Sequence, residues 1–160
     1  MIETGGQVSL APEVEQLLLD VVADGFTMYC CGPKAGPTAL LAAYEWPHCV
    51  DLVTVRDFDR IIAARAPNRG ELDVFAPEVV VWAYEGPPQA TLRALLDLVH
   101  PLHPDAPHGE YPAPRNLHIP RAEQRPTTIR LPSPGHAGAR ARRLATAMAV
   151  GPRNELPTWP

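Results

Sequence analysis

Three groups of side chains in this 160-residue chain are of types that do chemistry. Asp51, Asp57 and Asp59 lie close together in the sequence, with Lys34 upstream; carboxylates are ligands for Mg²⁺, and a lysine can offset the negative charge of a phosphate. Arg130, Arg140, Arg142 and Arg143 form a basic group near the C-terminus, suited to phosphate contacts with nucleic acid or to neutralising the acidic remainder of the chain. His100, His103 and His108 punctuate a Pro-rich run. In polyproline II, with three residues per turn, His100 and His103 would project on one side and Asp105 or His108 could approach, a weak divalent-metal arrangement. Structural zinc ordinarily shows thiolates or tightly spaced helical ligands, so the run reads more simply as a solvated linker.

Two other motifs carry less. Gly32–Thr38 contains glycine, lysine and threonine, but Gly-Lys-Thr is not contiguous, and Pro33 and Pro37 each delete an N–H that a phosphate cradle needs. Cys30, Cys31, His48 and Cys49 are all zinc-ligand types. The first two end one expected strand and Cys49 begins another, which on parallel neighbours puts them about 17–20 Å apart, too far to share a metal. Buried thiols are the expected state.

Gly36-Pro37-Thr38-Ala39-Leu40, followed about ten residues later by Asp51-Leu52-Val53, resembles the Gly-Gly-Thr-Ala-Leu and Asp-x-Asp pattern of toxin-type nucleotidyltransferases. The resemblance spans about twenty residues and implies two strand carboxylates holding Mg²⁺ against a nucleotide. Residue by residue it reaches Gly36, Thr38 and Asp51. Val53 stands where the second carboxylate belongs, which leaves Asp57 or Asp59 as its replacement.

The elements that would position these groups follow from periodicity. Pro12 suits a first helical turn, and Val14, Leu17, Leu18 and Val21 form a stripe that stops at Gly25. Phe26–Cys31 and Val50–Arg56 read as strands, the second with apolar residues on both faces and hence internal to a sheet. Asp57 offers an N-cap for a short helix carrying Phe58, Ile61 and Ile62, which Pro67 ends. Glu78–Tyr84 is the strongest strand signal, and Leu92, Leu95, Leu96 and Val99 repeat the helical stripe after Gly86-Pro87-Pro88. Thr38–Trp46 is ambiguous: its alanines and leucines favour helix, whereas a strand returning from Cys31 would end as naturally at Pro47. The helical choice gives an α/β fold with a small three-stranded sheet flanked by helices, in the order α-β-α-β-α-β-α. The strand choice gives an α+β order, α-β-β-β-α-β-α, which resembles the core of restriction-endonuclease-like nucleases. That family needs an acidic residue and a Glu/Asp-x-Lys on adjacent strands. Here Asp51 and Arg56 share a strand without a lysine, and arginine does not serve as a general base.

Charge divides the chain. Residues 1–110 hold 16 carboxylates against 6 bases, a net −10; residues 111–160 hold 8 arginines against 2 carboxylates, a net +6. Nine of the 20 prolines fall in that second part. The expected organisation is therefore a flexible N-terminus at 1–10, a compact core at 11–100, a Pro-rich linker at 101–135, a basic helix or disordered arm at 136–150, and a flexible end at 151–160. Three cysteines without CxxC spacing and no cationic, apolar leader argue for a cytoplasmic protein. No apolar run approaches the roughly 18–20 residues of a membrane span. The expected function is binding or regulation through contact of the C-terminal arginines with nucleic acid or a protein partner, without cofactor. Enzymatic alternatives are a divergent Mg²⁺- and nucleotide-using transferase or a degraded endonuclease-like fold.

Overall fold

The computed structural model describes residues 11–33, 35–57 and 59–155. Lys34, Phe58, the expected flexible N-terminus at 1–10 and residues 156–160 lie outside them. Helix α1 (Pro12–Ala23) is followed by strands β1 (Thr27–Cys31), β2 (Ala39–Glu45), β3 (Cys49–Asp57) and β4 (Arg60–Pro67). The short β5 (Val79–Val80), β6 (Trp82–Gly86), α2 (Pro88–Asp97), β7 (Tyr111–Pro112), β8 (Thr127–Arg130) and α3 (Ala139–Glu155) complete the chain.

The class is mixed α and β, but the sheet is not the small three-stranded layer expected. Six strands run in the order β6-β4-β3-β2-β1-β8, each pair antiparallel. Two segments overturn both expected orders or one of them. Thr38–Trp46 supplies β2, correcting its helical reading, and the segment after Asp57 supplies β4 rather than a helix. The cause is common to both. These strands are central and buried on both faces, so Leu41, Ala42 and Ala43, or Ile61 through Ala66, all leave solvent and no polar alternation marks them as strand. Tertiary burial outweighs the helix propensity of their alanines. Asp57 pairs with Arg60 across the β3–β4 turn instead of opening a helix.

The alternation of β3 divides the core in two. Val53 and Val55 face a layer in which Val14, Leu17 and Val21 of α1, Leu92 and Leu95 of α2 and Leu144 of α3 are buried together. Val50 and Leu52 face the other side, where Val80, Leu117 and Ile119 cover the sheet. Leu117 and Ile119 belong to the Pro-rich stretch 101–135 and are essentially unexposed, and β8, at its end, pairs with β1 along four residues. α3 begins in the expected basic segment 136–150 and continues to Glu155.

Gly25 fixes the turn between α1 and β1. Its φ of +103° lies in the left-handed region, and a Cβ there would approach the His136 carbonyl oxygen to 2.4 Å. The end of α1 is thus seated directly against the backbone that leads into α3. Among the described residues no helix is long and apolar enough to cross a membrane.

Candidate functional site

Asp51 is the third residue of β3, on the helix-facing side of the sheet, and is fully buried. Strand register places it in one row with Tyr44, Arg65 and Trp82 on β2, β4 and β6. Arg65 meets its carboxylate in a fork: Nε donates to Oδ1 at 2.6 Å and Nη2 to Oδ2 at 2.9 Å. Trp46 Nε1 donates to Oδ2 at 2.9 Å, and its ring lies 6.0 Å from the Arg65 guanidinium carbon. Arg65 Nη1 is buried without a hydrogen-bond partner among the described residues.

The remaining lone-pair capacity of Asp51 goes to α3. Arg140, also fully buried, donates from Nε to Asp51 Oδ2 at 3.0 Å, from Nη1 to Asp24 Oδ2 at 2.9 Å and from Nη2 to the Leu95 carbonyl at 2.8 Å. Its guanidinium lies 5.4 Å from the Phe26 ring centre. Arg143 extends the chain of charges, with Nε and Nη2 donating to Asp24 at 3.0 and 2.7 Å. That hydrogen bond raises the Arg143 pKa, and the nearby Asp97 and Asp20 add to it. Two N–H groups of the first turn of α3, which no helix can satisfy internally, are taken up as well: Arg140 N–H by the Asp24 carbonyl at 2.8 Å and Ala141 N–H by Tyr44 Oη at 3.1 Å. Arg65, Asp51, Arg140, Asp24 and Arg143 therefore alternate in sign along one continuous path from the sheet to the surface.

This arrangement orients and anchors. To coordinate Mg²⁺, Asp51 would have to release two guanidinium groups and an indole N–H in a dry interior, where breaking a buried pair is costly. Asp57 and Asp59 lie at the β3–β4 turn, six and eight positions further along the chain, so the three aspartates do not converge. His100 packs edge-on against Trp46 with ring centres 4.7 Å apart, while the Nδ1 atoms of His100 and His103 accept the N–H groups of Leu102 and Asp105. His108 turns to the Ala106 carbonyl. Among the described residues no three His, Cys, Asp or Glu groups are placed to share a metal ion. The thiols of Cys30, Cys31 and Cys49 are free, and burial pushes those of Cys31 and Cys49 up.

Of the C-terminal arginines only Arg140 is buried; Arg143 is exposed while paired to Asp24, Arg130 is exposed on β8, and Arg142 is exposed with Nη1 directed to the Ala137 carbonyl at 3.4 Å. β8 ends the sheet, and all four of its residues are exposed. Ile129 and the following Leu131 are 57% and 73% exposed, unusual for large aliphatic side chains beside a sheet.

Arg65 and Asp24 were not singled out by sequence reasoning. Arg65 carried a signal: Asp51 within Val50–Val55 and Arg65 within Ile61–Ala66 are the one charge in each otherwise uncharged run, a combination that burial permits only when the two pair. Comparison with protein-family models, curated proteins and solved structures gives no match.

Proposed function

We propose that this chain is a cytoplasmic regulatory module that binds a partner protein by adding an extended, acidic segment of that partner to the β8 edge. The observation that carries this reading is the edge itself: a terminal strand whose four residues are all exposed, continued by exposed Leu131. An open edge offers unpaired N–H and C=O groups as a template, and side-chain contacts at alternate positions supply selectivity. Arg130 on the strand and exposed Arg125 before it favour acidic side chains. Three free thiols accord with a reducing compartment.

Nucleic acid is the less favoured partner. Arg140 is spent inside the fold and Arg143 lies among Asp20, Asp24 and Asp97, so the C-terminal segment does not present a continuous basic stripe. The test is fluorescence anisotropy of labelled acidic and basic extended peptides, and of single- and double-stranded DNA and RNA, with wild type and Ile129→Glu/Arg130→Glu. Selective binding of acidic peptides, lost in the double variant, supports the reading. Salt-dependent binding of nucleic acid that Arg130→Ala and Arg142→Ala weaken, without peptide binding, overturns it.

A further inference from the structure

A second polar feature lies on the face of the sheet away from the helices, at the end where β3 turns into β4. It is a groove of about 390 Å³ whose floor includes Thr54 and Ile62, neighbours across β3 and β4, and whose walls include Arg56, Arg60, Glu85 and Asn116. Thr54 is 1% exposed and its Oγ1 has no hydrogen-bond partner among the described residues. Valine would occupy the same volume without leaving a hydroxyl unpaired, so a threonine here is favoured only if its hydroxyl meets a polar atom entering the groove.

The walls define the chemistry of such an atom. Arg56 is held in place by the His118 carbonyl and the Glu123 carboxylate, and Asn116 Nδ2 fixes Glu85 Oε2 at 2.6 Å. Arg60 is committed less: its side chain is 63% exposed and its approach to Glu85 is 3.9 Å. Two guanidinium groups meet two carboxylates, with Glu123 paired to Arg56 and Glu85 at 3.9 Å from Arg60, so Arg60 is the less tightly engaged of the two guanidiniums. Guanidinium presents paired donors that match the oxygens of a carboxylate or phosphate.

We propose that this groove binds a small oxyanion-bearing molecule, a carboxylate or a phosphate, with the anion at Arg60 and a polar oxygen on Thr54 Oγ1. The site is separate from the β8 edge and stands whether or not a partner binds there.

The experiment is thermal denaturation of the full chain in inorganic phosphate, in glycolate and in sodium chloride at equal ionic strength, accompanied by amide NMR spectra. The expected result is a rise of about 3–6 °C over chloride at roughly tenfold excess of the better anion over its dissociation constant. The amides of Thr54, Ile62 and Asn116 should move with it, and phosphate against glycolate identifies which oxyanion the groove prefers. Thr54→Val should melt at or above wild type without ligand and lose the anion-dependent rise; Arg60→Gln should lose it too. Equal rises in all three salts, a rise retained in Thr54→Val, or resonance shifts confined to other parts of the molecule overturn the proposal.

Discussion

Arg140 and Asp51, 89 positions apart in the chain, share a 3.0 Å hydrogen bond at a place where neither side chain reaches solvent. This contact joins the last helix to the middle of the sheet, and it makes the C-terminal segment part of the folded body. The opposite charges of the two parts of the chain are thereby used internally. Asp51 and Asp24 contribute from the acidic part, Arg140 and Arg143 from the basic part.

Removing Arg140 should therefore be expensive. Arg140→Ala leaves the buried Asp24 with one arginine fewer, deprives Asp51 of its link to α3 and removes one of the donors to the Leu95 carbonyl. Breaking a buried pair from one side costs roughly 3–5 kcal/mol, so the urea midpoint should fall sharply and protease should cut ahead of α3. A midpoint unchanged from wild type would show that α3 does not depend on this anchor. Deleting 136–160 should go further, with loss of near-ultraviolet circular dichroism, because Leu144 is buried with the α1 and α2 residues.

Gly25→Ala tests the seat of the same segment from the other side. The substitution combines a left-handed backbone angle with a Cβ 2.4 Å from the His136 carbonyl oxygen, and backbone rather than a flexible side chain would have to yield. Strain of this kind costs about 1–3 kcal/mol. At the usual sensitivity of a domain of this size, roughly 2–4 °C per kcal/mol, the melting temperature should drop by about 2–12 °C by scanning calorimetry. Gly36→Ala, where nothing stands within 4 Å of the new Cβ, is the control and should melt close to wild type.

The contrast between legible and hidden elements has a physical origin. The Val14, Leu17 and Val21 stripe and the Gly25 stop were readable because α1 covers one face only, and its periodicity survives in the burial of those residues. β2 and β4 lost their signature because both of their faces are covered. β8, with Thr127-Thr128-Ile129-Arg130, was obscured by the prolines around it and owes its conformation to pairing with β1, a non-local contact that no local pattern reports. Asp51 stands out in the sequence as a candidate metal-binding carboxylate, but its place in the fold depends on Arg65 and Arg140. Finding the first partner required knowing that Ile61–Ala66 is a strand, and finding the second required knowing that α3 docks.

His100 should make stability fall on the acid side. Burial, and secondarily the Arg65 charge, lower its pKa from 6.5, and its Nδ1 accepts the Leu102 N–H, a bond the imidazolium cannot keep. The folded state thus binds the proton less readily than the unfolded state. The contribution is complete above pH 6.5 and is lost as pH falls below it toward the lowered folded value. Urea midpoints measured from pH 7.5 to pH 5 should decline, and His100→Gln should flatten part of that decline. An identical slope in the variant would assign the effect to other groups.

Cys49 acts in the opposite range. Burial, reinforced by the Asp51 charge, pushes its thiol from 9.0 up to about 11, although Arg65 and Arg140 pull the other way. The folded state therefore holds the proton more tightly than the unfolded state, so stability is intact below pH 9 and declines as pH rises toward 11. Cys49→Ala should reduce that alkaline decline, leaving the share due to Cys31, whose thiol burial also raises. The thiolate is the nucleophile, so the same shift should slow alkylation. In the native protein at pH 8, iodoacetamide should label half-buried Cys30 ahead of Cys49, as read by peptide mass spectrometry. Equal labelling of the two would mean that the interior beside Asp51 opens to solvent, and the buried ionic path from Arg65 to Arg143 could not then persist as a dry anchor.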